Sequence, residues 1–198
     1  INTHPRFAAM TTAAISRDTC LPFREANNHF EAQSCRDALV TTSSSLKNCS
    51  ISLSKIANDI RLLASGPRCG IGELVLPAVQ PGSSIMPGKV NPVMAEALLQ
   101  VCAQVVGNDS SVSLAGLSGN FELNVMMPLM AFNTLQSISL LSNAVTVFTD
   151  KCLKDVETDR QRCAELLERS LALVTALVPE IGYDRAAALA KKAHESGR

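Results

Sequence analysis

The chain has 198 residues, 18 lysines and arginines against 18 aspartates and glutamates, and only 4% aromatic side chains. That length suffices for a sizeable core, while zero net charge and few stacking rings argue against nucleic acid as a partner. No apolar run reaches membrane-spanning length and the first residues lack a basic-then-apolar leader pattern, so a soluble protein is expected, with no membrane partner.

Seven cysteines (20, 35, 49, 69, 102, 152 and 163) are scattered without a C-x-x-C pair. An odd, unpaired set argues against a disulfide framework or a zinc site and for reduced thiols, most of them expected as small core residues. The chain starts at Ile1 and stops at Gly197-Arg198 directly after an expected helix, so both ends look cut.

In chain order, Asn2-Thr3-His4-Pro5 is a helix start with Pro5 in its first turn, and Phe7, Ala8, Ala13, Ala14 and Ile15 suit a short helix. Leu21-Pro22-Phe23 and Asn27-Asn28-His29 break it. From Phe30 to about Ala64 there is no proline or glycine, and Leu46, Cys49, Leu53, Ile56, Ile60 and Leu63 recur at three- and four-residue steps. The pattern predicts one helix approaching ~50 Å, with a bend near Thr41–Ser45, the kind of element found in extended bundles.

Residues 66–92 concentrate five of the ten glycines and five of the nine prolines. Loops longer than about 12 to 15 residues in a compact domain are functional or disordered. The apolar residues Leu74, Val75, Leu76, Ile85 and Met86 favour the first choice. Asn91-Pro92 then predicts a helix with Asn91 as cap and Pro92 in the first position.

Val93–Val106 and Phe121–Phe148 are apolar nearly all the way round, the second with a kink expected at Pro128. Breaks are expected at Gly107-Asn108-Asp109 and at Gly116–Asn120. Helices of this kind need neighbours on every side, and oligomerisation is the simplest source. After Lys151 the composition turns charged, and Asp159–Leu173 and Asp184–Glu195 are predicted as two short amphipathic helices joined through Pro179 and Gly182. The expected fold is all-α, a long-helix bundle over 1–156 containing the loop 66–92, followed by part of a small helical domain over 157–198.

The loop's chemistry centres on GSSIMPGKVNP, Gly82–Pro92. Successive N–H groups in Gly82-Ser83-Ser84 suit an anion-binding nest, Lys89 adds positive charge and Asn91 an amide, a set matched to a small carboxylate or phosphate. A serine beside a cation and several N–H donors can serve as nucleophile or base. With no G-x-S-x-G and no triad spacing, an acyl-enzyme is disfavoured. From spacing alone, a functional loop and an ordinary one weigh about equally.

This stretch resembles the signature of the fumarase and aspartase superfamily. SKIANDIRLLASGPRCGIGE (54–73), GNFELNV (119–125) and ALVPEIGYDRAAALAKKAH (176–194) are similar, in the same order, to class II fumarases. The PGKVNP form separates the chain from argininosuccinate and adenylosuccinate lyases, and Asn28–Ala32 and Asn120–Glu122 look more like fumarases than aspartases. Val178 departs from the asparagine usual there.

The resemblance implies reversible hydration of fumarate to L-malate with no metal or organic cofactor. It makes Ser83 the base, Ser84, Lys89 and Asn91 substrate-binding residues, and Glu96 the partner of a histidine on the acid side of the reaction. Without the resemblance, Glu96 reads as a first-turn acid complementing the helix dipole. That histidine belongs to an upstream segment absent here. His4 reads as part of a helix-start turn, His29 as a turn residue and His194 as a helix C-terminal residue, none of them catalytic. Arg68 reads as a structural arginine holding loop carbonyls rather than an anion guide.

The implied whole is a homotetramer acting on a small dicarboxylate, with active sites shared between subunits and this chain as its C-terminal half, inactive alone. The implied compartment is the cytoplasm, or the mitochondrial matrix in a eukaryote. Two rivals remain: an aspartate ammonia-lyase, and a non-catalytic structural or assembly relative, the latter opposed by the presence of Ser83, Lys89 and Asn91.

Overall fold

The computed structural model describes residues 2–82, 85–86 and 88–197. Its helices are α1 (Phe7–Thr19), α2 (His29–Ser34), α3 (Asp37–Leu63), α4 (Val93–Gly116), α5 (Met127–Phe148), α6 (Arg160–Glu168), α7 (Val178–Ile181) and α8 (Tyr183–Ser196). A π-helical turn covers Thr149–Leu153 and a 3₁₀ segment Leu171–Leu177. Two two-residue strands, β1 (Leu74–Val75) and β2 (Glu157–Thr158), pair antiparallel with Leu74 opposite Thr158. The fold is all-α, as the sequence predicts.

The chain divides into two compact units, Ile1–Asn48 with Gln104–Ser139, and Cys49–Ala103 with Leu140–Arg198. In the first, Val112, Ala115 and Met130 form a buried cluster against Leu39, Val40 and Met126. Burying a side chain of this size contributes roughly 1.5–3 kcal/mol. In the second, Ala57, Ala95, Leu98, Cys102, Phe148, Cys152 and Ala186 are buried.

Several predicted boundaries move, each for a local reason. The expected helix from Phe30 to Ala64 is interrupted at Cys35-Arg36, because Cys35 is extended (φ −93°, ψ 148°) and the Arg36 guanidinium donates to the carbonyls of Ala32, Gln33 and Cys35. These carbonyls end α2, whose start is capped by the Asn28 side chain accepting from Phe30 and Glu31 N–H. The remaining helix, α3, is then ~40 Å long. The Pro128 kink does not arise, because α5 begins at Met127 and places the proline in its first turn, where no amide bond is lost. Before it, Phe121 adopts φ 50° in a short turn closed by an Asn120–Leu123 bridge.

The break expected at Gly107-Asn108-Asp109 is absent, since α4 runs straight through it. Both polar side chains are buried and fully employed. Asn108 Nδ2 donates towards Ser137 Oγ (3.0 Å), Gln136 Oε1 (3.0 Å) and the Asn133 carbonyl (3.4 Å). Asp109 meets Lys47 Nζ at 2.5 Å and Ser44 Oγ at 3.4 Å. Tertiary hydrogen bonds thus override weak helix propensity.

Towards the C-terminus, Asp159 caps α6 through Arg162 N–H at 2.9 Å, and the predicted helix to Leu173 ends instead at Glu168. Ser170 then caps the 3₁₀ segment. Of the cysteines expected in the core, only Cys102 and Cys152 are buried, with Cys163 partly covered and Cys20, Cys35, Cys49 and Cys69 exposed. Burial pushes the Cys102 and Cys152 thiols up. Among the described residues, no helix is long and apolar enough to cross a membrane.

Burial alone would raise the Asp109 carboxyl, but hydrogen bonds from Lys47, Ser43 and Ser44 and the Lys47 charge outweigh it and hold it below the usual carboxylate range. A depressed folded value stabilises fully above the unfolded value of about 3.9, and the contribution disappears as pH falls through the lower folded value. Asp109→Asn should therefore cost about 1–3 kcal/mol at neutral pH. In thermal unfolding followed by circular dichroism, that deficit should shrink below about pH 4.

Candidate active site

The loop between α3 and α4 is built on backbone contacts. Ser65 Oγ donates to the Leu62 carbonyl (2.6 Å) and accepts from Ile71 N–H (3.1 Å), while Glu73 N–H donates to the Leu63 carbonyl (2.9 Å). These bonds fold residues 65–73 back on the end of α3. The β1–β2 ladder follows at once.

Gly82 forms one side of a neck. A Cβ there would lie 2.6 Å from the Lys89 carbonyl oxygen, so only a residue without a side chain lets the two strands of the neck approach. Within the loop, Lys89 N–H donates to Met86 O and Val90 N–H to Gly88 O, both at 3.1 Å. Ile85 is 88% exposed. Ser83 and Ser84, the expected base and a substrate-binding residue, lie outside the described residues.

Lys89 is exposed, and among the described residues no hydrogen bond or ion pair is formed by its ammonium group. Asn91 is half-buried two residues on, and Val93 N–H donates to its carbonyl at 2.8 Å. The helix starts one residue later than expected: Pro92 supplies the first carbonyl, accepting from Glu96 N–H at 3.1 Å, and Val93 is the first helical residue. Glu96 is half-buried in that first turn, beside the fully buried Ala95. Lys89, Asn91 and Glu96 lie on one stretch of chain at the start of a 24-residue helix. An exposed ammonium, an amide and a helix N-terminus on one short stretch suit an anion.

His4 stands in the turn before α1, its Nδ1 accepting from Arg6 N–H at 3.2 Å. His29 opens α2 and pairs with Glu25 at 3.0 Å, and His194 sits in the last turn of α8. Arg68, expected to hold loop carbonyls, is exposed instead. Arg162 does that work, its Nε donating to Ile71 O (2.8 Å) and Nη2 to Gly70 O (3.0 Å). Sequence reasoning missed it because it lies 91 residues away from Ile71 in an ordinary charged helix.

A concavity of about 610 Å³ is lined by His4, Phe7, Met10, Ala14, Ile15 and other α1-side residues, none of them from the loop. The loop residues do not form that hollow.

Fold and loop together define the class, and the chain belongs to the family described as Lyase, which matches residues 1–107. Residues 173–198 match the fumarase C C-terminus. Over all 198 residues the chain is 57% identical to the class II fumarate hydratase of Thermosynechococcus vestitus, spanning 42% of that protein. It is 54% identical over 197 residues to the mitochondrial fumarate hydratase 1 of Arabidopsis thaliana, spanning 40% of it. Its structure matches the class II fumarase of Schistosoma mansoni with a TM-score of 0.95 at 38% identity, covering 100% of this chain and 44% of that one. The resemblance to class II fumarases therefore holds along the whole chain, which spans less than half the length of these relatives.

Replacing Gly82 by alanine forces its methyl group against the Lys89 backbone and must part the neck. Limited proteolysis should cut Gly82→Ala faster than the unaltered protein within residues 76–91, with unchanged helix content by circular dichroism.

Proposed function

We propose that this chain is the C-terminal portion of a fumarate hydratase, which adds water reversibly to fumarate to give L-malate. One observation carries the reading: Lys89, exposed, and Asn91, two residues on, lead into α4 from a loop that resembles the class II fumarase signature, in a chain 57% identical to such an enzyme. Lys89, Asn91 and Ser84 bind a carboxylate of the dicarboxylate substrate.

In the malate-to-fumarate direction, Ser83 removes the proton from the carbon next to that carboxylate. The electron pair moves into the carboxyl group, giving an aci-carboxylate with two negative charges. Donors at that group bind this species more tightly than the substrate, and the difference lowers the barrier. The carbon–oxygen bond then breaks and hydroxide leaves as water, taking a proton from the acid side. Glu96 hydrogen-bonds the histidine assisting that step, which the remainder of the protein supplies. The protein needs no metal or organic cofactor for this sequence.

The working form is a homotetramer in which several subunits complete each site. The exposed apolar side chains Leu117, Phe121, Phe132 and Leu135 support subunit contact. Residues 1–156 belong to the central helical bundle and 157–198 to a small C-terminal domain, the latter supported by the fumarase C C-terminus match at 173–198. The compartment is the cytoplasm, or the mitochondrial matrix in a eukaryotic source, as the name of the Arabidopsis relative supports.

Offered malate and aspartate separately, the full-length protein should form fumarate, read by ultraviolet absorbance, from malate. Fumarate from aspartate alone would make it an ammonia-lyase. Ser83→Ala in that protein should lower kcat by at least about 100-fold, the low end for losing a general base. Residues 1–198 purified alone should not turn malate over, and activity there would refute the shared-site reading.

A further inference from the structure

The geometry points to Arg162 as a positioning residue that holds the reactive loop from the far side, through its two hydrogen bonds to the Gly70 and Ile71 carbonyls. The inference rests on the proposed hydratase reading for what the loop does, but not for how it is held.

Arg162 is placed firmly itself. Its backbone N–H is taken by the Asp159 carboxylate that caps α6, and its Nη1 lies 3.7 Å from Glu165 Oε2 one turn later. Its side chain is only 27% exposed. The same helix start contributes Asp159 N–H, which donates to the Glu73 carbonyl at 3.0 Å. The guanidinium therefore completes a clamp that continues into the β1–β2 ladder.

The loop side of the clamp is shaped for it. A Cβ on Gly70 would fall 2.1 Å from the Ser65 carbonyl oxygen, so this backbone is pressed against the end of α3 and its carbonyl is presented to Arg162. Two carbonyls taken by one planar fork are fixed in direction as well as distance, which a single ammonium cannot reproduce.

The clamp reaches the chemistry because of what lies beyond it. The two backbone hydrogen bonds described between Leu76 and Val90, Lys89 to Met86 and Val90 to Gly88, are internal to the loop. The clamp at residues 70–75 fixes the start of the loop, and α4 at Pro92 fixes its end. Releasing the clamp loosens residues 70–75 at the start of the loop and widens the positions open to the Gly82–Lys89 neck. Displacements of about 1 Å at a reacting group are enough to cost up to about 100-fold in rate.

Arg162 thereby takes the part expected of Arg68. The arginine inside the loop is exposed, and the one that orders the loop comes from a helix that bears none of the expected catalytic residues.

The test uses the full-length protein with Arg162→Ala and Arg162→Lys. Arg162→Ala should lower kcat for malate at least tenfold with KM changed less than threefold, while the assembled mass is kept. Added guanidinium at tens of millimolar should restore part of that loss in Arg162→Ala and none in Arg162→Lys. Hydrogen exchange should quicken in peptides covering residues 66–92 and stay unchanged in those covering α5.

Retention of kcat within twofold overturns the proposal, whatever the exchange shows. So does faster exchange spread over the whole chain, or failure of both variants to assemble, either of which makes Arg162 a general stability residue. If the unaltered protein turns over aspartate instead of malate, the hydratase reading fails separately. The same comparison of kcat, rescue and exchange is then made with aspartate and decides Arg162 alone.

Discussion

Helices α4 and α5 carry apolar side chains round more of their circumference than this chain covers. Leu98, Val105, Val112 and Met130 are buried, while Leu114, Leu129, Phe132 and Leu135 stay between 42% and 65% exposed. At roughly 25 cal/mol per Å² of apolar surface, leaving such faces in water is a large unrealised stabilisation. Apolar faces of this extent are suited to being covered by further protein surface.

Inside that apolar background, polar groups set which faces meet. Asn108 and Asp109 sit in a helix they would ordinarily disfavour, and each is satisfied by groups distant in sequence: Ser137, Gln136 and Asn133 for one, Lys47 and Ser44 for the other. A rotation of α4 would strand them at the desolvation penalty of an unpaired buried group, about 1–3 kcal/mol each. Apolar contacts alone tolerate such a shift far better, since they are not directional.

Much of the architecture was legible before any coordinates, as was the stretch of chain on which the expected site residues lie. The glycine- and proline-rich stretch at 66–92 is a loop leading to a helix start at Val93. Residues with directional side chains were where reading failed. Gly107-Asn108-Asp109 carries every local mark of a turn, and Cys35-Arg36 carries none. Their outcomes are reversed because hydrogen bonds from Asn108 run to α5, whereas Arg36 bonds back to the carbonyls just before it.

The sequence by itself determined the helical class, the long loop before α4 and the family, because apolar period, glycine and proline placement, and a contiguous motif are all local in the chain. Only the tertiary structure decided that α4 is unbroken, that Arg68 is exposed, and that Arg162 holds the loop across 91 residues of sequence separation. The physical reason is the same throughout. A buried carbonyl or carboxylate takes whichever donor the fold brings within about 3 Å, and no spacing in the chain says which that will be.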